Sequence, residues 1–202
     1  MNPDREISHL LDLMPASGRM MSKIVSKPEQ PLVIDCKFPL PWHRSRPIYI
    51  NFNLWQQMSR PQRDLLLLRT VSWLGNVVYL KPDIYQGLAA LGVAGTAIEL
   101  LQADAVGIVV AGGLIAIASS QVWRMNRRSQ SQLEADEMAI RVAGRRGYNE
   151  TEAARHLLGA IESVAKIEGR PSLNFIELIR CQNLRAIGNL SPLGVPESIR
   201  RD

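Results

Sequence analysis

The chain has 202 residues, enough for one domain of ordinary size with a real core. Apolar residues make up 46% and charged residues 21%, which excludes a disordered chain, and aromatics at 5% disfavour a stacking platform for nucleic acid. The net charge of +5 suits an anionic partner, either nucleic acid or a membrane surface, so location must decide between them.

In chain order, Asp4–Met14 places Ile7, Leu10, Leu11 and Met14 at helical spacing. The acids in MNPDREISHLL and the lack of an apolar run argue against a cleavable signal peptide. After Pro15 a short helix is expected over about Ser17–Lys27, ended by Pro28 and Pro31. Leu32–Phe38 alternates and is β-rich, so it reads as a strand; Pro39–Pro47 must be a loop, anchored by Trp42. Ile48–Phe52 alternates again and is expected to pair with the first strand. Ser59-Arg-Pro-Gln62 opens the next helix with a capping hydroxyl, a proline in the first turn and a glutamine three residues on. The run that follows, RDLLLLRTVSWLGNVVYL, is apolar almost all round, so this helix is buried in a core or begins to enter a membrane.

Ile84–Ile98 and Ala105–Trp123 carry no charge and are joined by the acidic turn Glu99–Asp104. A bilayer core takes about 20 apolar residues per helix, which the second segment meets. Dense glycines suit close packing of two membrane helices. The expectation is a tight transmembrane hairpin over 83–123; the alternative is a soluble, internally packed hairpin. Lys81 before it and Arg124, Arg127 and Arg128 after it form basic membrane flanks, which place both ends and the body of the protein on the cytoplasmic side.

The remaining third is helical. Ser131-x-x-Glu134 and Asn149-x-x-Glu152 fit capping boxes, Gly147 stops the first of these helices, and Gly169 with Pro171 stops the second near Glu168. A last helix is expected over about Ser172–Arg185. The expected divisions are 1–58 (helices and small sheet), 59–82, the hairpin at 83–123 and the helical region 124–202, all within one domain. Cys36 and Cys181 lie far apart with no CxxC or Cys/His cluster, which excludes a zinc ribbon and favours free thiols in a reducing compartment.

Leu133-Glu134-Ala135-Asp136, followed by Ala139, Ala143, Gly147 and Tyr148, resembles the ExxxAD…AGY segment of the HtpX-type and CAAX-prenyl-protease metallopeptidases. The order of strand, capped helix, hairpin and this helix is similar over about Pro47–Ala160. The resemblance implies that Glu134 stands at the third zinc ligand and Asp136 at the aspartate that supports it. The HExxH positions would fall at Arg69, Thr70 and Trp73, which cannot serve: Arg has no lone pair for a metal, Thr is no general base and the Trp nitrogen only donates. His9, His43 and His156 have no histidine partner at helical spacing. The site is therefore read as vestigial, with no catalytic residue, no metal and no cofactor. Either the Arg69 guanidinium pairs with Glu134 or Asp136 across the vacant position, or Arg69 points to solvent.

The stretches LLDLMPASGRM, RPIYINFNLW, RPQRDLLLLRTVSWL, SQLEADE, EGRPSLNFIELIRCQNLRAIGNLSP and GVPESIR also resemble an uncharacterised cyanobacterial family, a domain of unknown function. That resemblance implies a photosynthetic host and a thylakoid or plasma membrane.

The fold class expected is α+β, mainly helical with a small N-terminal sheet and a transmembrane helical hairpin, degenerate gluzincin-like. The expected function is a non-catalytic, membrane-anchored pseudoprotease. It acts as scaffold, adaptor or assembly factor for another membrane protein or complex, with no nucleic acid and with homo-oligomerisation left open. An extended peptide adding to the edge strand near Ile48–Phe52 is one mode of binding. The rivals are a metallopeptidase with ligands drawn from Glu134, Asp136 and His156, and a soluble interaction module.

Overall fold

Asn2 starts helix α1 (Pro3–Leu13): its side chain accepts the Asp4 N–H at 2.9 Å, and Pro3 needs no partner in the first turn. The computed structural model describes residues 2–37, 45–76 and 129–191. The chain divides into two compact units, 1–76 with 129–202, and 77–128; everything described here belongs to the first.

Helix α2 (Ala16–Met21) is shorter than expected, because the chain turns extended at Ser22 and continues as strand β1 (Ser22–Ser26). The β-branched pair Ile24-Val25 suits a strand. The deciding influence is a distant partner. Strand β2 is Ile34–Cys36 and β3 is Arg46–Ile50, and the sheet order is β1-β3-β2. β1 runs parallel to β3, with Ile24 opposite Ile48, while β2 is antiparallel to it, with Asp35 opposite Tyr49. The expected pairing of the second and third strands is present. The expected edge strand is not: β3 is central, so its backbone is paired on both sides and offers no place for an added peptide strand.

β3 stops at Ile50 because Asn51 caps a short helix, α3 (Phe52–Trp55), accepting the Asn53 and Leu54 N–H groups at 3.1 and 3.4 Å. The Asn51 amide donates to the Pro28 and Gln30 carbonyls at 2.9 and 2.8 Å, tying the preceding loop to the same point. Helix α4 (Arg60–Asn76) begins as its sequence indicates, with the Ser59 N–H donating to Gln62 Oε1 at 3.0 Å. Its all-round apolar character serves a core. Leu66, Leu67, Val71 and Leu74 pack with the sheet, α1 and Trp55. Leu65 and Leu68 pack instead against α5 (Ser129–Gly144), α6 (Glu150–Ile167) and α7 (Phe175–Ile187).

Ala135, Ala139 and Ala143 of α5 are completely buried, and their small side chains at four-residue spacing let neighbouring helices approach closely. Ser131 lies within α5 and does not cap it. Gly147 (φ 94°) ends the following turn, where the Tyr148 N–H donates back to the Ala143 carbonyl at 3.2 Å; a left-handed residue is needed there. Asn149 caps α6, and Asn174 with Glu177 forms a full capping box on α7.

The architecture is mostly helical with a small three-stranded sheet, and the transmembrane hairpin is corrected. Among the described residues no helix is long and apolar enough to cross a membrane, and the segment expected to span lies outside them. So do Trp42, His43 and the basic flanks Lys81, Arg124, Arg127 and Arg128.

The α2–α4 contact yields a prediction. A Cβ added at Gly18 would stand 2.5 Å from Val71 Cγ1, inside the core. Gly18→Ala is expected to cost about 1–3 kcal/mol of stability through overpacking, read from the urea midpoint.

Candidate functional site

Asp136 is the one carboxylate among the described residues with no exposure at all. α5 turns it inward together with Leu133, Ala139, Ile140 and Ala143, all buried. From α7, Arg180 grips it with a two-pronged fork, Nε to Oδ2 at 2.8 Å and Nη2 to Oδ1 at 2.9 Å. From α4, Arg69 places Nε 3.4 Å from Oδ1 and donates through Nη2 to Gln132 Oε1, one turn before Asp136. The Asp136 carboxylate thus joins α4, α5 and α7.

Two guanidinium groups share one carboxylate, so the centre carries a net positive charge. Burial, then repulsion from Arg180, pulls the Arg69 pKa down to about 10; Asp136 limits the fall, and Arg69 stays charged at neutral pH. Burial opposes the charge of Arg180 as well, but Asp136 more than offsets it and its pKa lies above the ordinary value. Burial pushes the Cys36 thiol up to about 11 despite nearby Arg69, and the Cys181 thiol up to about 11, so neither supplies a thiolate nucleophile at pH 7. Neither cysteine is in a disulfide.

Of the residues singled out in the sequence, the fold brings Arg69 and Asp136 together. Glu134 points away: it is exposed and accepts the Gln130 amide at 2.9 Å. Thr70 is buried, with its hydroxyl donating to the Leu66 carbonyl at 2.9 Å. Trp73 is half-buried against the sheet-side core. His156 meets Tyr148 edge-on, with ring centroids 6.3 Å apart, and His9 pairs with Asp64 at 2.9 Å. No group of three or more His, Cys, Asp or Glu among the described residues is placed to hold a metal. Sequence reasoning missed Arg180. Its signal is a cation between Ile179 and Cys181 and four residues before Leu184, on the stripe of α7 that turns to the core.

Chemically the centre can hold charge but has little means of moving it. The Asp136 oxygens are already held by two cations that do not give up protons near neutral pH.

Residues 8–148, most of the chain, match the family model described as Protein of unknown function (DUF3318). The chain belongs to the DUF3318 family. The DUF3318 match takes in Arg69 and Asp136 and ends before Arg180. The chain is also similar to the thylakoid membrane protein slr1949 of Synechocystis sp., 28% identical over 128 residues. That alignment covers 62% of this chain and 59% of the relative's length. No solved structure matches. The family description assigns no catalytic activity.

One pH effect arises beside this centre. Burial raises the Glu177 pKa, but the Arg170 bond at 2.8 Å, the Asn174 N–H and the charges of Arg170 and Arg180 outweigh it and hold it below the usual carboxylate value. A depressed folded pKa gives stability that is complete above the unfolded value of about 4.5 and is lost as pH falls through the lower folded value. Glu177→Gln is therefore expected to flatten the acid limb of stability against pH, measured as urea midpoints across that range. An acid limb as steep as that of the parent chain would contradict it.

Proposed function

We propose that this DUF3318 chain is a non-catalytic protein that works at the thylakoid membrane as a scaffold, adaptor or assembly factor for a membrane complex. The observation that carries the reading is Asp136, completely buried and held by Arg69 and Arg180. Such a centre ties helices together and orders a surface, and it offers a substrate neither an open coordination position nor a free base. The similarity to a thylakoid membrane protein supports the location. In this reading α4 and α5 are the remnant of a metallopeptidase cleft, with Arg69 at a vacated ligand position and paired with Asp136, which corresponds to the supporting aspartate. A working metallopeptidase is disfavoured, because Glu134 faces solvent and Asp136 is committed.

Affinity capture from native membranes, followed by mass spectrometry, tests the reading alongside metal analysis of the purified protein. Co-purification of one membrane complex in stoichiometric amount, with no bound metal, is the expected result. Stoichiometric zinc removable by a chelator would overturn it.

A further inference from the structure

A second polar cluster lies apart from the Asp136 centre, where α1, the start of α4 and the turn after α5 meet. His9, Leu13, Arg60, Asp64, Arg146, Gly147 and Tyr148 line a cleft of about 270 Å³. Asp64 is 3% exposed, and both its oxygens are taken: His9 Nε2 lies 2.9 Å from Oδ1, and the Tyr148 hydroxyl donates to Oδ2 at 2.8 Å. Arg60 Nη2 lies 3.1 Å from His9 Nδ1. A guanidinium only donates, so Nδ1 is the accepting nitrogen and the His9 proton sits on Nε2, facing Asp64. Burial, then the Asp64 bond, pushes the Tyr148 pKa up to about 12, so its hydroxyl remains a donor to that carboxylate.

The cleft's one carboxylate is thus occupied by two neutral donors, while its two cations have none. Arg60 spends one N–H on a neutral imidazole. Arg146 donates to the Leu13 and Met14 carbonyls at 3.1 and 3.0 Å. Arg60 and Arg146 are both exposed, so their remaining N–H groups are open to a ligand from solvent, and the cleft has an excess of positive charge. We propose that this cleft binds a small oxyanion of the phosphate class, held between Arg60 and Arg146, either as the free ion or as a phosphate headgroup. Guanidinium forks match phosphate oxygens, and Asp64 fixes the ring that positions Arg60.

The test is calorimetric titration of the full-length protein with inorganic phosphate at constant ionic strength. It is paired with flotation on phosphatidylglycerol vesicles against phosphatidylcholine vesicles. Saturable one-to-one phosphate binding is expected, weakened ~10-fold or more by Arg60→Gln, as loss of a charged hydrogen bond implies. Arg185→Gln, a substitution at an exposed arginine that does not line the cleft, is expected to leave it unchanged. Arg146→Gln should weaken binding similarly, but it also removes two bonds to α1, so the Arg60 variant carries the test. Phosphatidylglycerol flotation that phosphate competes away and Arg60→Gln reduces identifies a headgroup as the source. Phosphate binding without flotation identifies the free ion. Absence of saturable binding to both, or an Arg60→Gln affinity equal to that of Arg185→Gln, would overturn the proposal.

Discussion

Asp136→Ala is expected to destabilise the protein by about 3–5 kcal/mol, because it takes from the buried Arg180 and the mostly buried Arg69 the carboxylate that they share. The cost is not the value of one contact. Arg69 and Arg180 are already desolvated, and without the carboxylate their mutual repulsion is unopposed. For a chain of this size the melting temperature should fall by roughly 2–4 °C per kcal/mol. Asp136→Asn keeps the shape and part of the hydrogen bonding, so a smaller loss is expected. The informative comparison is the triple change Arg69→Met, Asp136→Leu, Arg180→Met. It removes both signs of charge together, and a well-packed apolar replacement of a buried ion cluster is often neutral in stability. A triple variant near the parent and an Asp136→Ala variant far below it would assign the penalty to orphaned charge. Equal losses in the two would assign it to packing.

Trp55→Ala should cost a similar amount, about 3–5 kcal/mol, for a different reason. Trp55 is completely buried between the sheet, α1 and α4, and its removal leaves a cavity that its neighbours cannot fill without moving. It also has a polar task. Its Nε1 donates to Glu6 Oε1 at 3.1 Å, and Arg63 pairs with that same oxygen at 3.0 Å. Glu6 is almost fully buried, so it depends on both partners. Trp55→Phe separates the two contributions: it keeps most of the volume and loses the N–H, for an expected cost of about 1–2 kcal/mol. Equilibrium denaturation of the two variants checks both values. A Phe variant as unstable as the Ala variant would show that the hydrogen bond to Glu6, and not the ring volume, dominates.

The features legible in the sequence are those written over three or four consecutive residues. Ser59 with Gln62, Asn149 ahead of α6 and the left-handed Gly147 and Gly169 each settle a boundary through bonds to their near neighbours. The run from Asp64 to Leu74 specifies a helix and an apolar one, but not its solvent. Clusters packed on two sides of it made it a core helix. The periodicity of α5 places Asp136 with Ala139, Ile140 and Ala143 and Glu134 on the other side, so the carboxylate that matters could have been chosen from the helix alone.

What the tertiary structure alone decided are the pairings between distant segments. Ser22–Ser26 became a strand because β3 lay alongside it in parallel, overriding the helical start at Ala16. The same pairing made β3 central and removed the open edge that a peptide could have joined. Arg69 faces Asp136 and not Glu134, and Arg180 arrives from a third helix to complete the centre. The sequence by itself determined most of the local elements and several of their caps, and it left Arg69 facing Glu134, Asp136 or solvent. Only the fold decided which charges meet, because a buried ion pair is defined by packing across helices and leaves no spacing rule along the chain.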